Sequence, residues 1–189
     1  MNKEGLRIAI VGPESTGKTI LARNLAEYYR GDWVPEFART YIEQLDREYT
    51  FEDVKNIAKK IVDEFNAQLN NPVPVFFDTE MIITKVWFDV VFKTQPKEMN
   101  SWLKQLDFDA FLLLYPDLPW EPDPVRENGG EMRKILFDRY RKEIEELHKP
   151  YAIVSGEGAV RIYNAVKELH RIAGMPNLTD RVKNDFGLK

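Results

Sequence analysis

Apolar residues along the chain fall into two alternating patterns. Short unbroken runs, RIAIVG at 7–12, VPVFFD at 73–78, AFLLLYP at 110–116 and YAIVSG at 151–156, predict strands buried on both faces. DWVPEF at 32–37 predicts a shorter one. Between these runs the apolar spacing changes to three and four. Phe51, Val54, Ile57, Ile61, Phe65 and Leu69 form one helical face, with Thr50 and Asp53 as its N-terminal signal. Residues 17–30 predict a helix after the first strand, and TEMIITKVWFDVVF at 79–92 one that is apolar almost all round and therefore central. A shorter helix is expected around Trp102, Leu103 and Leu106. Met132, Leu136, Tyr140, Ile144 and Leu147 mark the next, and Ala159, Tyr163, Val166, Leu169 and Ile172 the last. The closing NLTDRVKNDFGLK has no period and reads as a loosely held tail.

Five buried strands alternating with helices imply an α/β domain of three layers, a five-stranded parallel sheet with helices on both faces. Ligands of such sheets bind beyond the carboxyl ends of the strands. The 189 residues fit one domain, and 43% hydrophobic residues supply its core. We divide them into a domain at 1–175, with a lid near 116–131, and a tail at 176–189. A net charge of -4 argues against a nucleic-acid partner. With no cysteine and only His148 and His170, thiolate chemistry and a histidine-built metal site are both set aside. No stretch approaches the roughly 18 apolar residues of a membrane span, and the first apolar run is too short for a signal peptide. The expectation is a soluble cytoplasmic protein. Nothing in the pattern sets an oligomeric state.

The first strand opens into Gly12-Pro13-Glu14-Ser15-Thr16-Gly17-Lys18-Thr19, a full match to G-x-x-x-x-G-K-[ST] between a strand and a helix. Glycines at both ends allow a tight turn whose N–H groups face phosphate oxygens, and the helix that follows adds its positive end. Lys18 is expected on the β- and γ-phosphates and Thr19 on Mg²⁺. Asp78, closing VPVFFD, is the matching acid for the metal, although a cap for the next helix is a compatible role for Asp78 or Thr79. ATP fits better than GTP: Asp78 begins DTEM, not D-x-x-G, and TKVW at 84–87 lacks the aspartate of a guanine-reading motif.

Two further segments carry candidate chemistry. Glu36, from PEFART, is expected at a strand's carboxyl end, where a carboxylate can orient or deprotonate an acceptor hydroxyl, with Arg39 and Tyr41 in reach. Glu80, two residues past Asp78, is a second candidate on the acceptor side. PDLPWEPDPVRENGGE at 116–131 reads as a lid, and its Arg126 and neighbouring Arg133 are candidates to meet the γ-phosphate. Asp117, Glu121 and Asp123 around Trp120 would suit a flat cationic substrate.

Together GPESTGKT, VPEFARTYIE, DTEMIITKVWFDVVF and LLLYPDLPWEPDPVREN resemble the nicotinamide riboside kinase domain of NadR-type NAD-salvage proteins, from about Arg7 to Ala173. The resemblance implies a P-loop NTPase fold of the AAA-like ATPase and kinase kind. It implies phosphorylation of nicotinamide riboside to nicotinamide mononucleotide by ATP with Mg²⁺, and no adenylyltransferase activity from this stretch. The competing readings are a kinase for another nucleoside, a nucleoside-triphosphatase, and an ATP-sensing module without turnover.

Overall fold

A computed structural model describes residues 5–122 and 128–188. Strands β1 (Arg7–Val11), β2 (Asp32–Val34), β3 (Val75–Asp78), β4 (Ala110–Leu114) and β5 (Tyr151–Val154) form one parallel sheet in the order β2-β3-β1-β4-β5. The strand order reverses about β1, the arrangement that opens a crevice at the carboxyl edge. Helices α1 (Lys18–Tyr29), α2 (Phe37–Glu43), α3 (Phe51–Ala67), α4 (Met81–Trp87), α5 (Met99–Gln105), α6 (Met132–Glu146), α7 (Gly158–Ala173) and α8 (Thr179–Phe186) cover it.

The unbroken apolar runs follow from burial on both faces. Ala9 and Val11 pack with Phe77 and Leu113 under α3, α4, α5 and α6. Ile8 and Ile10, pointing the other way, pack with Phe76 and Leu112 under α1, α7 and α8. All four β1 residues from Ile8 to Val11 are wholly inaccessible to solvent. The α3 signal is realised as a capping box: Thr50 N and Oγ1 donate to Asp53 Oδ2 at 2.7 and 2.6 Å, and Asp53 N donates to Thr50 Oγ1 at 3.4 Å. No helix among the described residues is long and apolar enough to cross a membrane.

Three local expectations are corrected. The second strand stops at Val34, because Pro35 lacks the N–H for a further ladder bond, and the expected strand residues beyond it turn into α2. The helix expected over 79–92 begins only at Met81, after Thr79 (φ 83°) and the N-cap Glu80. It then widens at Phe88–Phe92 into a π-helical turn, whose Phe88 and Phe92 rings meet that of Phe51 tilted and edge-on, with centroids 4.8 and 5.4 Å away. The tail is not loose. Its α8 buries Val182 completely, Tyr28 donates to Asp185 at 2.9 Å, and the Arg181 guanidinium lies 4.9 Å from the centre of the Tyr28 ring.

Candidate active site

The loop leaving β1 has a shape that few residues tolerate. A Cβ on Gly12 would sit 2.9 Å from Thr16 Oγ1 and 3.1 Å from the Leu114 carbonyl oxygen. Ser15 (φ 56°) and Gly17 (φ 76°) both take the left-handed conformation.

Every carbonyl from Gly12 to Thr16 accepts from a side chain. Lys18 Nζ donates to Gly12 O at 2.9 Å and Pro13 O at 3.2 Å, and Thr16 Oγ1 donates to Pro13 O at 2.8 Å. Arg133 Nε and Nη2 donate to Glu14 O and Ser15 O, each at 3.1 Å. Arg161 Nη1 donates to Thr16 O. In a trans peptide the C=O and the following N–H point opposite ways. Anchoring the carbonyls of Glu14, Ser15 and Thr16 therefore turns the N–H groups of Ser15, Thr16 and Gly17 to the other side. There they meet no protein acceptor among the described residues. With the start of α1 beneath, this is a concavity built for an anion.

Asp78 ends β3 opposite Ile10 of β1, beside the loop. Its Oδ2 accepts from Thr19 Oγ1 at 2.5 Å, while Oδ1 is buried without a partner. Burial pushes its carboxyl up to about 6, Lys18 pulls it down and Glu36 pushes it up, so the three groups share one electrostatic site. A hydroxyl and a carboxylate with an unused oxygen are hard donors that suit Mg²⁺, which completes its shell with phosphate and water. No cluster of three or more acidic, histidine or cysteine side chains that could hold a metal occurs among the described residues. A metal here would therefore depend on the phosphates it accompanies.

The next two residues are unusual. Thr79 is a β-branched residue at positive φ, and its buried Oγ1 has no partner. Backbone strain of this kind gathers at functional sites. Glu80 caps α4, Oε1 accepting from Ile82 N at 2.9 Å, and burial pushes its carboxyl up to about 8. At neutral pH most of it therefore carries a proton. Tyr140 of α6, legible in sequence only as a core position, is buried, and its pKa is raised first by that burial and then by Glu14, Glu36 and Glu80. Its phenol thus lies in the field of three acids from three segments. Periodicity alone carried no sign of this.

On the acceptor side, Glu36 stands at the N-cap of α2, two residues past β2 and one strand removed from β1. Val34, Pro35, Phe37, Phe77, Asp78 and Thr79 line a small crevice there. Arg39 and Tyr41 are engaged elsewhere. Arg39 pairs with Glu43 at 2.9 Å along exposed α2. The Tyr41 hydroxyl donates to Asp53 Oδ1 at 3.0 Å, joining Arg47 and Thr50 on the same carboxylate.

The lid residues also differ from expectation. Asp117 accepts from Arg161 Nη2 and, at 2.6 Å, from Gly156 N, so it faces the end of β5 and not a cationic ring. Trp120 packs its indole on Gly129, where a Cβ would lie 3.2 Å away, and its buried Nε1 has no hydrogen-bond partner. Arg133 places Nε, Nη1 and Nη2 on the carbonyls of Glu14, Leu118 and Ser15, bracing the loop from behind. Glu14 accepts at both carboxylate oxygens from Asn128 N and Nδ2, at 3.0 Å each, and Ser15 Oγ accepts from Glu121 N at 3.1 Å. Arg126 and Asp123 lie outside the described residues.

Comparison with known proteins agrees with this fold. The family described as AAA domain matches residues 7–161. The trifunctional NAD biosynthesis/regulator protein NadR of Salmonella typhimurium is 24% identical over 174 residues, covering 86% of this chain and 42% of that protein. The chain thus spans about two fifths of that relative's length. A crystal structure of NadR protein in complex with NR superposes with a TM-score of 0.73 at 25% identity, over 92% of this chain and 53% of that one. A second, in complex with NAD and AMP-PNP, gives 0.70 at 23% identity, over 91% and 50%.

Proposed function

The chain belongs to the AAA domain family, and from that premise we propose that it is an ATP-dependent kinase that converts nicotinamide riboside to nicotinamide mononucleotide with Mg²⁺. The observation that carries this reading is the meeting of three parts at one sheet edge. These are a loop with its N–H groups turned outward, the Thr19–Asp78 pair beside it, and Glu36 beyond. The complexes of NadR with NR and with AMP-PNP support the same ligand pair for this chain.

In this mechanism the Ser15, Thr16 and Gly17 amides and the Lys18 ammonium hold the phosphates. Thr19 and the open oxygen of Asp78 would hold Mg²⁺, which would supply charge neutralisation at the transferring phosphoryl group. Glu36 orients the ribose 5′-hydroxyl and takes its proton as oxygen bonds to the γ-phosphorus and the bond to ADP breaks. Proton removal is late in a loose transition state, so positioning is the larger part of the work.

One observation favours a second reading. Asp117, an acid expected to attract the pyridinium, is engaged by Arg161 and Gly156, which weakens the case for a cationic ring. A kinase for a neutral nucleoside is therefore the alternative. Coupled ADP release separates the two: nicotinamide riboside should give much the fastest release, with adenosine, cytidine and uridine far behind. Equal release with no nucleoside would point to a triphosphatase, and tight ATP binding with no release to a sensor.

A further inference from the structure

We propose that Arg133 and Arg161 are positioning residues of the phosphate cradle, fixing its amides in the binding arrangement before any nucleotide arrives. The inference rests on the cradle reading above. Both arginines are nearly inaccessible, 7% and 4% exposed, where arginine seldom lies unless its donors are matched. Each gives part of its donors to the loop and the rest to its surroundings. Arg133 straddles two successive carbonyls, Glu14 and Ser15, and Arg161 takes the third, Thr16. A rigid fork can hold adjacent carbonyls at once, whereas a lysine ammonium acts as a single point.

The consequence for binding follows from the peptide group. A cation at the oxygen end of a peptide polarises its N–H end, and linked hydrogen bonds strengthen one another in a low dielectric. Each of the Ser15, Thr16 and Gly17 amides thus has a guanidinium behind it. The rest of each guanidinium is tied to the frame. Arg133 Nη1 reaches Leu118 O at 2.8 Å, Arg161 Nε reaches Gly156 O at 2.6 Å, and Arg161 Nη2 pairs with Asp117. Asp117 also accepts from Gly156 N at 2.6 Å, so the carboxylate that pairs with Arg161 Nη2 is itself fixed in place. Asp117 is therefore a positioning residue for Arg161. Stability alone is a poor explanation of the Arg161–Asp117 pair, because apolar residues of similar volume often replace a buried ion pair without loss.

The test uses the full chain without nucleotide. Amide resonances of Ser15, Thr16 and Gly17 are recorded by ¹H–¹⁵N NMR for wild type, Arg133→Lys and Arg161→Lys, and each protein is titrated with inorganic tripolyphosphate. The expected result is displaced or broadened loop amides in the free variants and an affinity lower by roughly tenfold, the usual reach of lost preorganisation over one hydrogen bond. If a lysine variant fails to fold, Asp117→Asn, which keeps both guanidinium groups, should show the same two changes in weaker form. Lost affinity with unmoved free-state amides would overturn the inference, because the arginines would then be touching phosphate directly. A lower melting temperature with amides and affinity unchanged would overturn it too, leaving the arginines as plain struts. A wild type that does not bind tripolyphosphate removes the cradle reading itself, an outcome distinct from binding with unmoved amides.

Discussion

Replacing Glu80 by glutamine should stabilise the fold increasingly as pH rises. The carboxyl is pushed from 4.5 to about 8 by burial at the start of α4. Below pH 4.5 both folded and unfolded chains carry the proton, and glutamine imitates the neutral acid with little difference. Between the two values the unfolded chain has released the proton and the folded one retains it, so wild-type stability falls with rising pH. At 1.36 kcal/mol per unit, the gap between wild type and Glu80→Gln is about 3 kcal/mol at pH 7 and about 5 kcal/mol above pH 8. Glutamine keeps an oxygen for the Ile82 N–H, so the cap is largely preserved. Urea unfolding of both proteins, followed by tryptophan emission at pH 5, 6, 7, 8 and 9, isolates this one titration, because the remaining groups cancel in the difference. A difference that stays constant from pH 5 to 8 would refute the reasoning, since Glu80 would then ionise in the fold as it does in water.

Two further predictions concern turnover. Lys18→Ala should lower phosphoryl transfer by on the order of 10²–10³ while leaving the melting temperature near wild type, because its ammonium touches only two carbonyls of its own loop. Full turnover in that variant would contradict the cradle. Asp78→Asn should be partly rescued by higher Mg²⁺ or by Mn²⁺, whereas Glu36→Gln should lose about 10²–10⁴ in kcat with no metal rescue. The reverse pattern across a metal titration would exchange the two roles.

Much of the architecture was legible because the solvent environment of an element repeats along it. Strands buried on both faces leave no polar interruption, so β1, β3 and β4 stood out, the edge strand β5 was apolar although its Ile153 faces solvent, and the Thr50 to Asp53 signal located the start of α3. Elements with a single anchor were not legible. The one side chain buried from α8 is Val182, and α2 buries none completely, so neither has a period to read. The site divided along a similar line. Gly12, Lys18, Thr19 and Asp78 are recognisable because their spacing is local to a strand and the turn after it. What Arg133, Asp117 and Tyr41 touch is decided by residues 12 to 119 positions away, and sequence reports a charge or a hydroxyl without its direction.

The central place of β1 also dictates when the domain can assemble. One edge of β1 pairs with β3, Arg7 opposite Val75, and the other with β4, Ile8 opposite Ala110. Neither partner exists when β1 leaves the ribosome. At the usual 5–20 residues per second, the hundred or so residues up to β4 take about 5–20 s to make. Until β3 emerges both edges of the apolar Ile8–Val11 stretch are open, and one stays open until β4 follows, a state prone to pairing with other chains. Helix α1 can form at once but covers only one face. Folding of this domain therefore waits on β4, and a nascent chain stopped between β3 and β4 should need a chaperone to remain in solution.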